Sequence, residues 1–193
     1  MIRTRALSRI AASAALLLSS GVFAQSALPT AERTLQLSAF GGLSGVYTRL
    51  SGGKNLDILA GADLGLPPVR HVRPEIEVRG VYPMDGGTID AQKSILVGLK
   101  ADFLLNHRLQ PYGDFLFGRG EIHYRNGYQL GSEIYLLTTT NVYSFGGGLE
   151  YPVSRWLELR LDGQLQKWGY APTVSTNLYP VVASAGVVYR FGR

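Results

Sequence analysis

The chain has 193 residues, with 19 Lys and Arg against 14 Asp and Glu and no cysteine. The missing thiols exclude disulfides, thiolate metal sites, a cysteine nucleophile and an acylated N-terminal cysteine. The net charge of +5 is spread without a continuous basic patch, which argues against a nucleic-acid partner.

The N-terminus has the order of an export signal. Arg3, Arg5 and Arg9 precede an apolar run from Ile10 to Leu18, and Gly21-Val22-Phe23-Ala24 supplies small residues before Gln25. The run is too short to span a bilayer as a helix, which takes about 20 residues. Residues 1–24 are therefore expected to be a signal peptide cleaved after Ala24, followed by a short periplasmic segment, 25–33, and one domain, 34–193. Cleavage removes three arginines and no acid, leaving 169 residues with 16 bases against 14 acids, a nearly neutral mature chain.

Beyond the signal, no apolar run is long enough for a spanning helix, and the pattern that recurs is alternation with period two, the signature of two-faced strands. The first segment, 34–47, alternates through Leu35, Leu37 and Ala39 and loosens at Gly41-Gly42. Next, Leu56, Ile58, Ala60, Ala62 and Leu64 oppose Asp57 and Asp63. In the third segment Val72, Ile76 and Val78 oppose Arg73, Glu75, Glu77 and Arg79. In the fourth, Ile95, Val97, Leu99, Ala101 and Phe103 oppose Ser94, Lys100 and Asp102.

The fifth, 109–124, is mixed. Phe115 and Phe117 share a face whose parity continues into Arg119, Glu121 and His123, which requires either a bulge or a strand end beyond the apolar zone. Tyr143, Phe145, Leu149 and Tyr151 then oppose Ser144 and Glu150. The seventh segment is the cleanest: Leu157, Leu159, Leu161 and Leu165 on one face, and Glu158, Arg160, Asp162, Gln164 and Gln166 on the other. The last sets Val181, Ala183, Ala185, Val187, Tyr189 and Phe191 against Ser184, Gly186 and Arg190.

About eight such segments predict an all-β fold: an eight-stranded antiparallel up-and-down transmembrane β-barrel. Unpaired strand edges are not tolerated in lipid, so the sheet must close. A barrel of this size encloses a lumen that side chains fill. The polar face carries acids and bases two residues apart, about 6.6 Å along a strand. It is read as an internal charge network of Arg73, Glu75, Glu77, Arg79, Lys100, Asp102, Asp114, Glu158, Arg160, Asp162 and Arg190. Buried charges are tolerated when paired in this way.

Short connections are expected near Pro67-Pro68, at 106–108 and at 152–155, and longer ones at 49–55, 82–93, 125–140 and 169–179. With both termini in the periplasm, the short turns fall inside and the long loops outside. Tyr47, Tyr82, Tyr124, Tyr143, Tyr151, Trp156, Trp168, Tyr170, Tyr179 and Tyr189 lie near strand ends, where aromatic girdles form.

No catalytic constellation stands out. His71, His107 and His123 each lack a serine two residues away, and they lie on separate segments without the spacing of a metal site. The glycines at 146–148 interrupt a strand pattern and lack the following Gly-Lys-Ser/Thr of a phosphate loop, so close packing in the wall is their expected role. Glu75 and Glu77 are read as partners of arginines rather than a catalytic pair. No catalytic residue, metal or cofactor is assigned.

The final segment, Ala183-Ser184-Ala185-Gly186-Val187-Val188-Tyr189-Arg190-Phe191, resembles the terminal strand of outer-membrane barrels, followed here by Gly192 and Arg193. The run Phe145-Gly146-Gly147-Gly148-Leu149-Glu150-Tyr151 and the strand after it resemble the penultimate hairpin of small OmpA-like barrels, the outer membrane protein beta-barrel domain family. The resemblance covers nearly the whole mature chain and implies a monomer in the cell outer membrane. It also implies that Val187, Tyr189 and Phe191 are read by the outer-membrane insertion machinery. The implied partners are membrane lipid and the lipopolysaccharide-type outer leaflet. A structural or surface-loop interaction role is expected, without enzymatic activity. The rival readings are a small passive pore, a loop-borne lipid-modifying enzyme and a soluble lipid-binding barrel. The chain ends at the last strand, so no cell-wall-binding domain is expected after it.

Overall fold

Strands that alternate apolar and polar residues leave a greasy face and unpaired edges, and this chain removes the edges by closing on itself. A computed structural model describes residues 35–47, 54–85, 90–105, 109–130, 132–169 and 178–191. The expected signal peptide, the 25–33 segment, His107, Tyr170, Gly192 and Arg193 lie outside the described residues. Eight strands follow in chain order: β1 (Gln36–Tyr47), β2 (Lys54–Gly65), β3 (Val72–Asp85), β4 (Asp90–Phe103), β5 (Gln110–Leu130), β6 (Glu133–Pro152), β7 (Leu157–Trp168) and β8 (Val181–Arg190). Each pairs antiparallel with its sequence neighbours, and β8 pairs with β1, so the barrel is closed and up-and-down. No helix occurs among the described residues.

The register sets the tilt. From Phe40 the cross-strand row runs through Gly61, Arg79, Leu96, Gly118 and Val142 to Trp168. In the other direction Phe40 faces Val188, which faces Glu158. The two ends of this circuit land ten residues apart on β7, so the barrel closes with a shear of ten. Closure of this kind tilts strands by roughly 35–45° from the barrel axis.

The alternation sorts the two faces. On β7, Leu157, Leu159, Leu161 and Leu165 are exposed while Glu158, Arg160, Asp162, Gln164 and Gln166 are buried. Outward positions elsewhere carry Leu37, Ile58, Val78, Leu99, Phe115, Phe145 and Val187, all substantially exposed to the surroundings of the barrel. Burying charge and exposing leucine inverts the arrangement of a water-soluble domain.

The mixed parity of the fifth segment is resolved by length. β5 and β6 are 21 and 20 residues long, against 10 to 14 for the other strands. Their register stays continuous to His123, shifts before Tyr128, and resumes to Leu130 opposite Glu133. Arg119 therefore faces outward at the edge of the apolar zone and His123 on the strand end beyond it. The long connection expected at 125–140 is mostly this projecting hairpin, and that expected at 82–93 is mostly strand, because β3 runs to Asp85 and β4 starts at Asp90. Polar composition reads as loop in sequence, but a hairpin that projects past the apolar wall needs no apolar face.

At the opposite end the turns are tight. Ser154 Oγ accepts hydrogen bonds from the amides of Trp156 and Leu157, and Ser154 and Val153 donate theirs to the Leu157 carbonyl. The β2–β3 connection closes through reciprocal bonds between Val69 and Val72, with Arg70 in the left-handed region at φ 58°.

Candidate functional site

The lumen is layered along its axis. β7 shows the gradient on one strand: the inward residues Glu158, Arg160 and Asp162 near the tight turn are charged, Gln164 and Gln166 are neutral, and Trp168 is apolar. On β4 the inward series from the same end is Asp102, Lys100, then Leu96. The charged half is held by four cations.

Arg160 donates from Nη2 to Glu77 Oε2 at 2.7 Å, from Nε to the Tyr112 hydroxyl at 2.8 Å and from Nη1 to Asp63 Oδ2 at 3.3 Å. Arg79 donates from Nε to Glu77 Oε1 at 2.6 Å and forks onto Asp162 at 3.0 and 2.9 Å, with Asp114 at 3.3 Å. Lys100 Nζ sits among Glu150 at 2.7 Å, Glu75 at 3.1 Å and Asp102 at 3.1 Å. Arg190 Nη2 lies 2.7 Å from Glu158 and 2.8 Å from Glu150. Among the described residues nine carboxylates are buried, and eight of them lie within 4.0 Å of one of these four cations; Asp57, toward the long-loop end of β2, is the exception. Each cation must therefore serve several acids, which ties the strands together across the lumen rather than in isolated pairs.

Of the eleven residues read from the sequence as an interior network, ten are buried in the lumen. Arg73 differs: it is half-buried at the end of β3 and donates to Gln36 at 2.9 Å, since its place beside the tight turn lifts it out of the charged layer. The sequence reading left out Asp63, Glu150 and Tyr112. The first two sit on the polar face by parity alone. Tyr112 shares parity with Asp114, and its hydroxyl donates to Asp162 at 2.6 Å while accepting from Arg160.

Aromatic rings enter the same layer. The Arg160 guanidinium lies 4.3 Å from the Phe40 ring centroid and 4.7 Å from that of Tyr112, so one cation is held by both carboxylates and π-faces. Two glycines make the space. A Cβ on Gly61 would lie 2.3 Å from the Phe40 ring, and one on Gly148 would lie 2.7 Å from the Tyr112 hydroxyl. The glycine run at 146–148 thus accommodates a buried tyrosine.

Above the charges lies an apolar plug of Leu96, Leu116, Ile122, Tyr124, Val142, Trp168 and Leu178. Two of the aromatics expected in the girdle, Trp168 and Tyr124, belong here instead. Trp168 has the inward parity of Arg160 and Gln166, and its indole N–H donates to Gln166 at 2.9 Å. Proximity to a strand end therefore misplaces it, whereas parity does not. Tyr47, Tyr82, Tyr143, Tyr151, Tyr179 and Tyr189 do face outward.

Val187 and Tyr189 lie on the outer face of β8. Phe191 follows, packed edge-on against Tyr189 at 5.0 Å with its amide bonded to the Leu37 carbonyl. His71 lies exposed in the β2–β3 turn, and His123 is exposed on β5 beside Glu121, so the described histidines are far apart in the fold.

No protein-family model matches the chain, and no curated protein matches it in sequence. Its fold does match solved structures. Neisserial surface protein A (NspA) is similar at 17% identity and a TM-score of 0.54, over 82% of this chain and 97% of that one. Ail, the attachment invasion locus protein of Yersinia pestis, solved with the heparin analogue sucrose octasulfate, is similar at 12% identity and a TM-score of 0.51, over 81% and 97%. The fold is that of the small eight-stranded outer-membrane β-barrels.

Proposed function

We propose that this chain is a monomeric integral protein of the cell outer membrane, exported by a signal peptide removed after Ala24, and that it acts through its wall and surface loops rather than by catalysis or conduction. The observation that carries this reading is the inversion of the two faces. Leu165 is 60% exposed and Leu99 65%, while Glu77 and Glu158 are fully buried. Such a wall is stable only against hydrocarbon, where closed barrels leave no backbone group unpaired.

The filled lumen favours a structural barrel over a pore. The charged layer and the apolar plug succeed one another along the axis, and either alone leaves little room for a hydrated ion. The β5–β6 hairpin favours surface presentation, since it extends a strand-paired platform beyond the apolar wall. In this reading the insertion machinery recognises Val187, Tyr189 and Phe191, and the lipopolysaccharide-type leaflet surrounds the long-loop end.

The test is fractionation with gel mobility. The protein should sediment with outer membranes and migrate differently unheated and boiled, and N-terminal sequencing of the mature form should begin at Gln25. Recovery in the periplasm without detergent, with no heat-dependent shift, overturns the proposal.

A further inference from the structure

The outer wall is not uniformly bulky. Across β2, β3, β4 and β5 one cross-strand row reads Ala60, Gly80, Ile95, Arg119. The first two members leave a furrow of about 470 Å³ between the larger Ile58, Tyr82 and Ile95. Nothing in the backbone demands a glycine at position 80. A Cβ there would meet only the Ala60 carbonyl at 3.6 Å, an ordinary contact, whereas Cβ atoms at Gly98 and Gly118 would lie 2.0 Å from main-chain oxygens. The space at Gly80 therefore opens toward the surroundings of the barrel rather than serving its interior.

The upper end of the furrow is charged. Lys93 forms a 2.7 Å ion pair with Glu121, its register partner, and Arg119 borders the same space. Among the described residues, Arg119 has no carboxylate partner. Among the described residues lining it, two cations against one acid leave this end positive where the apolar wall gives way to polar residues on the long-loop side. An arginine at the hydrocarbon boundary, with no acid partner among the described residues, has the geometry to fork onto a phosphate.

We propose that this furrow is a binding site for a phosphorylated glycolipid of the outer leaflet, of the lipid A class. An acyl chain lies over Ala60 and Gly80, and a phosphate is held by Arg119 with Lys93 beside it. The proposal rests on the reading that the barrel is inserted with its long loops outward. The chain contact alone is indifferent to lipid identity, because any acyl chain satisfies an apolar furrow. The cations supply the selectivity.

Native mass spectrometry of the folded mature barrel in detergent, titrated with bis-phosphorylated lipid A and separately with phosphatidylethanolamine, tests it. One lipid A should be retained at about tenfold lower concentration than phosphatidylethanolamine. Arg119→Gln should abolish that preference, and Gly80→Leu or Ala60→Leu should weaken retention by filling the furrow. Lys167→Gln, outward on the far strand β7, should change nothing.

Equal retention of both lipids by the unaltered protein overturns the proposal, as does unchanged preference in Arg119→Gln. A dimer lost on Gly80→Leu also overturns it, by showing that a second copy fills the furrow. The heat-dependent gel shift, recorded on every sample, separates the two failures. A barrel that shifts yet binds without preference sinks only the lipid site, and one that never inserts sinks the membrane reading itself.

Discussion

Arg79 and Asp162 join opposite sides of the barrel: the guanidinium on β3 forks onto a carboxylate on β7, at 3.0 and 2.9 Å, across four strand positions of the closed sheet. Arg160 returns the contact from β7 to Glu77 on β3 at 2.7 Å. These crossed bridges span the lumen, so neither strand shifts register without breaking both. Removing one partner of a buried pair costs about 3–5 kcal/mol because the other is left charged and unpaired. Arg79→Leu should lose stability of that order in denaturant titrations of the detergent-folded barrel. Arg155→Leu, in an exposed turn, should change it by less than about 0.5 kcal/mol. Equal midpoints for the two variants would remove the crossed bridges from the stabilising interactions.

The excess of buried acids makes cations and carboxylates unequal. Lys100 contacts Glu150, Glu75 and Asp102, so Lys100→Met strands several negative charges at once, whereas Asp102→Asn relieves repulsion between neighbours. The lysine variant is expected to lose at least about 3 kcal/mol and the aspartate variant to be neutral or stabilised. Thermal unfolding of the two variants in the same detergent measures the contrast. Comparable losses would refute the inequality.

Gly120 sits where a Cβ would lie 2.4 Å from the Trp168 ring, deep in the apolar plug. Gly120→Ala should therefore cost about 1–3 kcal/mol by overpacking. Gly80→Ala, which meets only an ordinary contact, should be neutral. Tryptophan fluorescence during unfolding reports the first directly, since the indole must move.

In planar bilayers the protein should give no steady current steps, because the lumen is occupied along its length. Large, stable single-channel currents from the unaltered protein would favour the pore instead.

Glu121 lies on the projecting part of β5, and the hydrogen bond from Lys93 holds its carboxyl below the usual glutamate range, with His123 adding to the effect. A depressed folded value means that this pair contributes fully above the ordinary glutamate range and loses its contribution as pH falls through the depressed value. Lys93→Gln should move the Glu121 titration upward in carbonyl-detected NMR. An unmoved titration would assign the depression to another neighbour.

Period-two alternation, legible in the chain alone, determined the strand number, the closed antiparallel architecture and the side of the wall on which each residue lies. Leu157 and Arg160 cannot share a face in any extended register, and parity also names Asp63 and Glu150 as inward. What alternation carries no information about is partnership. Only closure, with its shear of ten, brings Arg79 opposite Asp162 and sets Lys100 among acids from β3, β4 and β6. The same closure gathers Leu96, Leu116 and Val142 around Trp168 to form the plug and opens a furrow at Ala60 and Gly80. A strand's pattern is a property of one chain segment, whereas a salt bridge across a barrel depends on how far every intervening strand has slid past its neighbour.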